Sequence, residues 1–296
     1  MGASRMWTNP LVWAVLALLV VFGLVGCNVL ARYYGFGTAA LTPEQLSAKL
    51  RPSYRTYLPD GPGPFPAALL FSGCDGPKDN MERWAQSVVD QGWAAVIVDS
   101  HGPRGLNDAQ LWRLVCIGQI LPGPERAGDV AVAIEDARAM EAVDPDRIVL
   151  IGASHGGWSV LDMLSLHGQG ARPHNLTRWP ESIRARGLEG IAGVILLYPY
   201  CGVASQVRSN GWKADVPALF LLVKDDTIVD EDSCIDVIER MRAAGRPVET
   251  HLFEGTTHGF DQAEKNAFSM LEFSPEAIER AKEITRRFLA DIADGS

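Results

Sequence analysis

Short, fully apolar runs alternate along this chain with longer segments whose apolar residues recur every three or four positions. The runs are "AALLFSG" (67–73), "WAAVIVDS" (93–100), "RIVLIG" (147–152), "IAGVILLYP" (191–199) and "PALFLLV" (217–223). Each has the length of a strand, and a strand that is apolar on both sides must be covered on both faces. "SYRTYLP" (53–59) and "VETHLFE" (248–254) read as two further strands, and "DGPGPFP" (60–66) as a turn. Between them lie helical patterns. Trp84, Val88 and Val89 share a face in 80–92, with Asn80 placed to cap and Gly92 to stop it. Val130, Ile134 and Ala137 share one in 124–143. Residues 157–168 and 230–245 follow the same rhythm. The last helix opens at Ser274-Pro275 and carries Ile278, Ala281, Ile284, Phe288 and Ile292 on one side. Strands alternating with helices predict an α/β fold with a mostly parallel central sheet and helices on both faces. No second core pattern appears, so residues 51–296 read as one domain.

The N-terminus has a different pattern. One arginine, Arg5, precedes "LVWAVLALLVVFGLVGC" (11–27), which is uncharged and strongly apolar. Residues 1–27 therefore read as a signal peptide or a transmembrane anchor. Leu24-Val25-Gly26-Cys27 resembles a bacterial lipobox, in which Cys27 would be lipidated. Both readings put the domain in the cell envelope, membrane-anchored on the extracytoplasmic side, with the membrane touched only through this segment. Residues 28–50 read as a tether, with a short helix capped by Thr42.

Composition narrows the partners. The 296 residues are 47% hydrophobic and 21% charged, with a formal net charge of −9. That balance suits a globular domain and argues against a nucleic-acid surface, which needs a basic stripe. Beyond Cys27 the cysteines are Cys74, Cys116, Cys201 and Cys234. Their spacings are not those of a zinc site, and no metal or cofactor is implied. An even number in an exported domain permits disulfides, with buried free thiols as the alternative. Should bridges form, Cys201–Cys234 is the expected pair, because both follow neighbouring strand ends.

The chemistry concentrates at Gly152-Ala153-Ser154-His155-Gly156. Its G-x-S-x-G spacing follows an apolar strand and precedes a helix, which puts Ser154 on a sharp turn at a helix N-terminus. A serine needs a base held by an acid, and in this arrangement the chain order is Ser, Asp or Glu, His. Asp225 and Asp226 follow the next-but-one strand, and His258 lies just past the strand after that. Asp226 is preferred because it opens a D-x-x-V turn. His251 falls within a strand and reads as a sheet residue. His155 is the tempting base by proximity, but its useful group is the backbone N–H. With an N–H from "SGCDG", taken as that of Cys74, it would form an oxyanion hole.

Two long connections, 101–122 and 168–187, leave the sheet on its C-terminal side, where sites sit in open α/β folds. Arg104 is a candidate for binding a substrate carboxylate, or for locking its loop. Trp112 and Trp179 are candidate walls of an acyl pocket, whereas Trp158 reads as core.

"YLPDGPGPFPAALLFSGCDG", "VDSHGPRG", "GASHGGW", "YPYC", "DDTIVDEDSC" and "FEGTTHGFD" together resemble the dienelactone hydrolase family of the α/β-hydrolase superfamily, over about residues 51–294. The resemblance implies Ser154 as nucleophile, Asp226 as acid and His258 as base. It departs from the namesake enzymes in having serine where they carry cysteine, which favours ordinary ester substrates. Ser72 stands where many relatives have histidine. The expected activity is hydrolysis of small-molecule carboxylic esters or lactones through an acyl-enzyme. The alternatives are an acyltransferase or peptidase with the same triad, or a non-catalytic envelope binding module.

Overall fold

A computed structural model describes residues 9–265, 269 and 271–294. Among the described residues the α-helices longer than one turn are α1 (Pro10–Tyr33), α2 (Pro43–Leu50), α3 (Asp79–Val89), α4 (Gly123–Arg138), α5 (His155–Gln169), α6 (Glu181–Arg186), α7 (Gln206–Asn210), α8 (Glu231–Ala243) and α9 (Pro275–Asp294). The strands are β1 (Arg55–Tyr57), β2 (Phe65–Phe71), β3 (Ala94–Val98), β4 (Val143–Ala153), β5 (Ile191–Leu197), β6 (Ala218–Val223) and β7 (Val248–Phe253). Among the described residues the strands form one sheet in the order β1-β3-β2-β4-β5-β6-β7. Only β1 pairs antiparallel; the other five pairings are parallel. The fold is the α/β architecture that the alternation of runs predicts.

The strands' side chains divide the core in two. Ala67, Leu69 and Phe71 of β2 point into one layer, and Ala68 and Leu70 into the other. The first layer is closed by Val130 of α4, Val160 of α5 and Val237 of α8. The second is closed by Met81 and Trp84 of α3 and by Ile278, Ala281 and Phe288 of α9. Period-2 alternation along each strand makes this two-sided burial the only way to remove both faces from water. One local expectation fails. Asn80 does not cap α3, which begins one residue earlier; its side chain instead accepts the N–H of Met81.

Residues 28–50, read as a tether, are fastened to the domain through α2. α1 runs unbroken through Cys27 to Tyr33. α2 opens with the full capping box of Thr42 and Gln45 and buries Leu46 and Leu50 in the first core layer. Ser47 donates to Asp136 of α4 at 2.6 Å. The apolar spacing of Leu46 and Leu50, one helical turn apart, is what fastens this segment down.

Candidate active site

Ser154 sits where β4 turns into α5, with φ 50° and ψ −113°. A non-glycine residue at positive φ is strained, and here the strain is held from both sides. Its N–H donates to Leu197 of β5 at 2.8 Å, and its carbonyl accepts from Trp158 at 3.0 Å. The flanking glycines are steric requirements. A Cβ on Gly152 would stand 2.6 Å from Gly157 Cα, and one on Gly156 would collide with the Phe71 carbonyl. Only at glycine can the helix start close enough to the sheet to leave the serine projecting.

His258 reaches Ser154 from the loop after β7, and its Nε2 lies 2.9 Å from Ser154 Oγ. Its Nδ1 lies 2.7 Å from Asp226 Oδ2. An ionised carboxylate only accepts, so Nδ1 carries the proton and Nε2 is left to accept from the serine hydroxyl. The Asp226 side chain is fully buried and that of His258 is 6% exposed. Asp226 Oδ1 accepts the N–H groups of Ile228 and Val229 at 2.9 and 3.1 Å. Asp225, at φ 55°, is the turn residue beside it and faces solvent.

The histidine loop is locked from behind. Asp261 is buried and accepts from Trp84 Nε1 at 2.6 Å and from the Tyr198 hydroxyl. Tyr198 also sets its ring edge against His258, 4.6 Å between centroids. Burial pushes the Asp261 carboxyl upward, and burial with the neighbouring Asp261 pushes the Tyr198 phenol well above its ordinary range. Asp261 belongs to the "THGFD" segment, but nothing in the chain pattern marks it as an anchor.

The loop 72–76 runs alongside the serine; a Cβ on Gly73 would stand 3.9 Å from Ser154 Cβ. Cys74 of that loop is bridged to Cys116, and Cys201 is bridged to Cys234. Behind the loop lies Arg126 of α4, a residue that sequence reasoning passes over. Its guanidinium is wholly buried. It donates to the Ser72 carbonyl at 2.8 Å, to Ser100 Oγ at 3.0 Å and to His155 Nδ1 at 3.1 Å. Arginine has no acceptor, so His155 Nδ1 must accept, which places the imidazole proton on Nε2. Burial, then the Arg126 charge, holds His155 far below the usual histidine range. The side chain of His155 thus stays neutral and turned away, while its N–H remains at the first position of α5.

The Arg104 guanidinium is engaged within the protein. It grips Asp129 bidentately at 2.8 and 2.9 Å, and Asp129, fully buried, also accepts from Asn175 at 3.0 Å. The pair ties both long connections to α4. Trp179 donates its indole N–H to Ala171 and packs edge-on to His167, so its ring is spent inside the second connection. Trp112 stands half-exposed on the first connection, near the Cys74–Cys116 bridge. Trp158 is buried between His155 and Tyr200, as its core reading predicts. Among the described residues no cluster of three or more His, Cys, Asp or Glu side chains could hold a metal.

Residues 182–293 match the model of the Dienelactone hydrolase family. A protein of Aquifex aeolicus named "Putative carboxymethylenebutenolidase" is 21% identical over 66% of this chain and 76% of its own. Esterase 2 of Thermogutta terrifontis, phosphonylated by cyclosarin, is 18% identical, covers 81% of this chain and 88% of its own, and superposes with a TM-score of 0.62. The dienelactone hydrolase-like promiscuous phosphotriesterase P91 from metagenomic libraries is 15% identical over 81% and 92% of the two chains, with a TM-score of 0.58. The solved structures share the sheet and its helices, and the stretch similar to the Dienelactone hydrolase family, residues 182–293, is the part of the chain that supplies Asp226 and His258.

Proposed function

We propose that the protein is a serine hydrolase that cleaves carboxylic esters or lactones through an acyl-enzyme. The observation that carries this is the unbroken chain Ser154 Oγ, His258 Nε2, His258 Nδ1, Asp226 Oδ2, at 2.9 and 2.7 Å, on a strained turn. Ser154 Oγ attacks the ester carbonyl while Nε2 of His258 takes its proton. Asp226 holds the imidazole in the needed tautomer and stabilises the imidazolium. The developing oxyanion is met by the N–H groups of His155 and Cys74. The imidazolium then protonates the leaving alcohol. A water, deprotonated by the same nitrogen, cleaves the acyl-enzyme and regenerates Ser154. An organophosphorus adduct on a structural neighbour supports the choice of probe.

The domain works at the membrane, on its oxidising side. α1 has a mean hydropathy of 2.6 over its most apolar window and buries none of it. Two disulfides fit an extracytoplasmic compartment and not a reducing one.

A fluorophosphonate probe is expected to label the folded wild type and not Ser154→Ala, with hydrolysis of p-nitrophenyl acetate lost in parallel. Equal labelling of both proteins, or none of either, refutes the reading.

A further inference from the structure

The C-terminal part of α1 is bonded to the two long connections of the domain. At about 1.5 Å per residue the helix's 24 residues span about 36 Å, more than the roughly 30 Å of a bilayer's apolar core. Its last turn therefore stands at headgroup level. Tyr33 and Tyr34 stand there, Tyr34 exposed, and tyrosine is enriched at that level of a bilayer. The last two to three turns, residues 25–33, are bonded to the domain. Asn28 donates to the Gln119 carbonyl and side chain at 2.9 and 3.0 Å, and Gln119 Nε2 donates to the Val25 carbonyl at 3.2 Å. Gly118 backs onto the Val29 side chain. Arg32 pairs with Glu125 at 3.5 Å, and His174 Nε2 donates to the Tyr33 carbonyl at 2.9 Å.

Gln119 ends the segment whose Cys116 is bridged to Cys74, beside Ser154. On that segment Trp112 is 40% exposed and Ile117 is 52% exposed, large apolar side chains on either side of the bridge. Ile117 lies two residues from the glutamine that reaches Val25, inside the apolar stretch of α1. A helix held upright in a bilayer thus carries this segment to the membrane surface.

On this basis, and resting on the hydrolase reading above, we propose that the mouth of the Ser154 site faces the bilayer. Trp112 and Ile117 dip into the surface, and the substrate is a lipophilic ester that partitions into the membrane. Docking needs α1 whole, because Val25 and Asn28 lie on either side of Cys27.

The test uses the full chain in phosphatidylcholine vesicles with or without brominated acyl chains. The Trp112 emission, isolated as the difference between wild type and Trp112→Phe, is expected to be quenched by the brominated lipid. Unchanged emission overturns the proposal, as does a mature chain that begins at Cys27 by intact mass. Ile117→Ser is expected to leave turnover of a soluble acetate ester unchanged and to slow hydrolysis of a vesicle-borne long-acyl ester about tenfold. An equal effect on both substrates, or none on either, overturns the substrate assignment. Failure of the hydrolase reading shows separately, as loss of fluorophosphonate labelling in a protein whose Trp112 is still quenched.

Discussion

Arg126 Nη1 lies 3.1 Å from Nδ1 of His155, and this contact fixes the residue that follows Ser154. Burial pushes the Arg126 guanidinium down to about 10, so it keeps its positive charge at neutral pH. That charge lies behind the loop expected to hold the oxyanion, where a fixed positive group is worth more than in water. Arg126→Met is expected to lower kcat about tenfold to a hundredfold with little change in KM, and Arg126→Lys to restore part of the loss. Steady-state kinetics on a p-nitrophenyl ester check this. A change in KM alone would move Arg126 out of this role.

The triad predicts a graded series. Ser154→Ala and His258→Ala should each cost about six orders of magnitude in kcat, and Asp226→Asn about four, because the imidazole loses its tautomer and not its place. Asp225→Asn, on the exposed turn beside it, should stay within a few-fold of wild type. Burst kinetics with a slow-deacylating ester would show acyl-enzyme in wild type and none in Ser154→Ala.

The two bridges should separate stability from catalysis. They close loops of 42 and 33 residues, each worth about 4 kcal/mol by chain entropy. Paired replacement of Cys201 and Cys234 by Ala should lower denaturant stability without lowering kcat. Paired replacement of Cys74 and Cys116 should lower both, because Cys74 belongs to the loop beside Ser154. Urea melts alongside kinetics test the contrast.

Arg104→Ala leaves Asp129 buried without its bidentate partner. Breaking one side of such a pair costs about 3–5 kcal/mol. The expected result is a large drop in Tm, with KM for neutral esters unaffected in whatever protein remains folded. A selective rise in KM for substrates bearing a carboxylate would return Arg104 to a binding role.

Asp162 supplies a pH dependence of stability. Burial pushes its carboxyl up to about 7, although Oδ1 accepts from Ser205 Oγ and the N–H groups of Gln206 and Val207. An unfolded aspartate titrates near 3.9. Between about pH 4 and 7 the folded state therefore holds a proton that the unfolded chain has lost, and stability falls as pH rises. Asp162→Asn keeps the acceptor oxygen and removes the titration. Its Tm should match wild type near pH 4, exceed it above pH 7, and lack this decline in between.

The alternation of strands and helices, the two-faced sheet and the turn at Ser154 are legible in the chain. These depend on periodicity and on glycine spacing within a few residues, which are local properties of the chain. The order of serine, acid and histidine was also legible, because each follows a strand end. The partners of the buried polar groups follow from packing instead. Asp261 meets Tyr198 across 63 positions, Arg126 meets His155 across 29, and Asp136 meets Ser47 across 89. No local pattern encodes such pairings. A polar side chain taken out of water must find a partner in whatever packing brings near, so its role is set by the fold. For the same reason the partner of Arg104, open in the sequence between a substrate carboxylate and its own loop, is Asp129, 25 positions away. Residues 28–50, read as a tether, carry α2, which packs Leu46 and Leu50 into the first core layer.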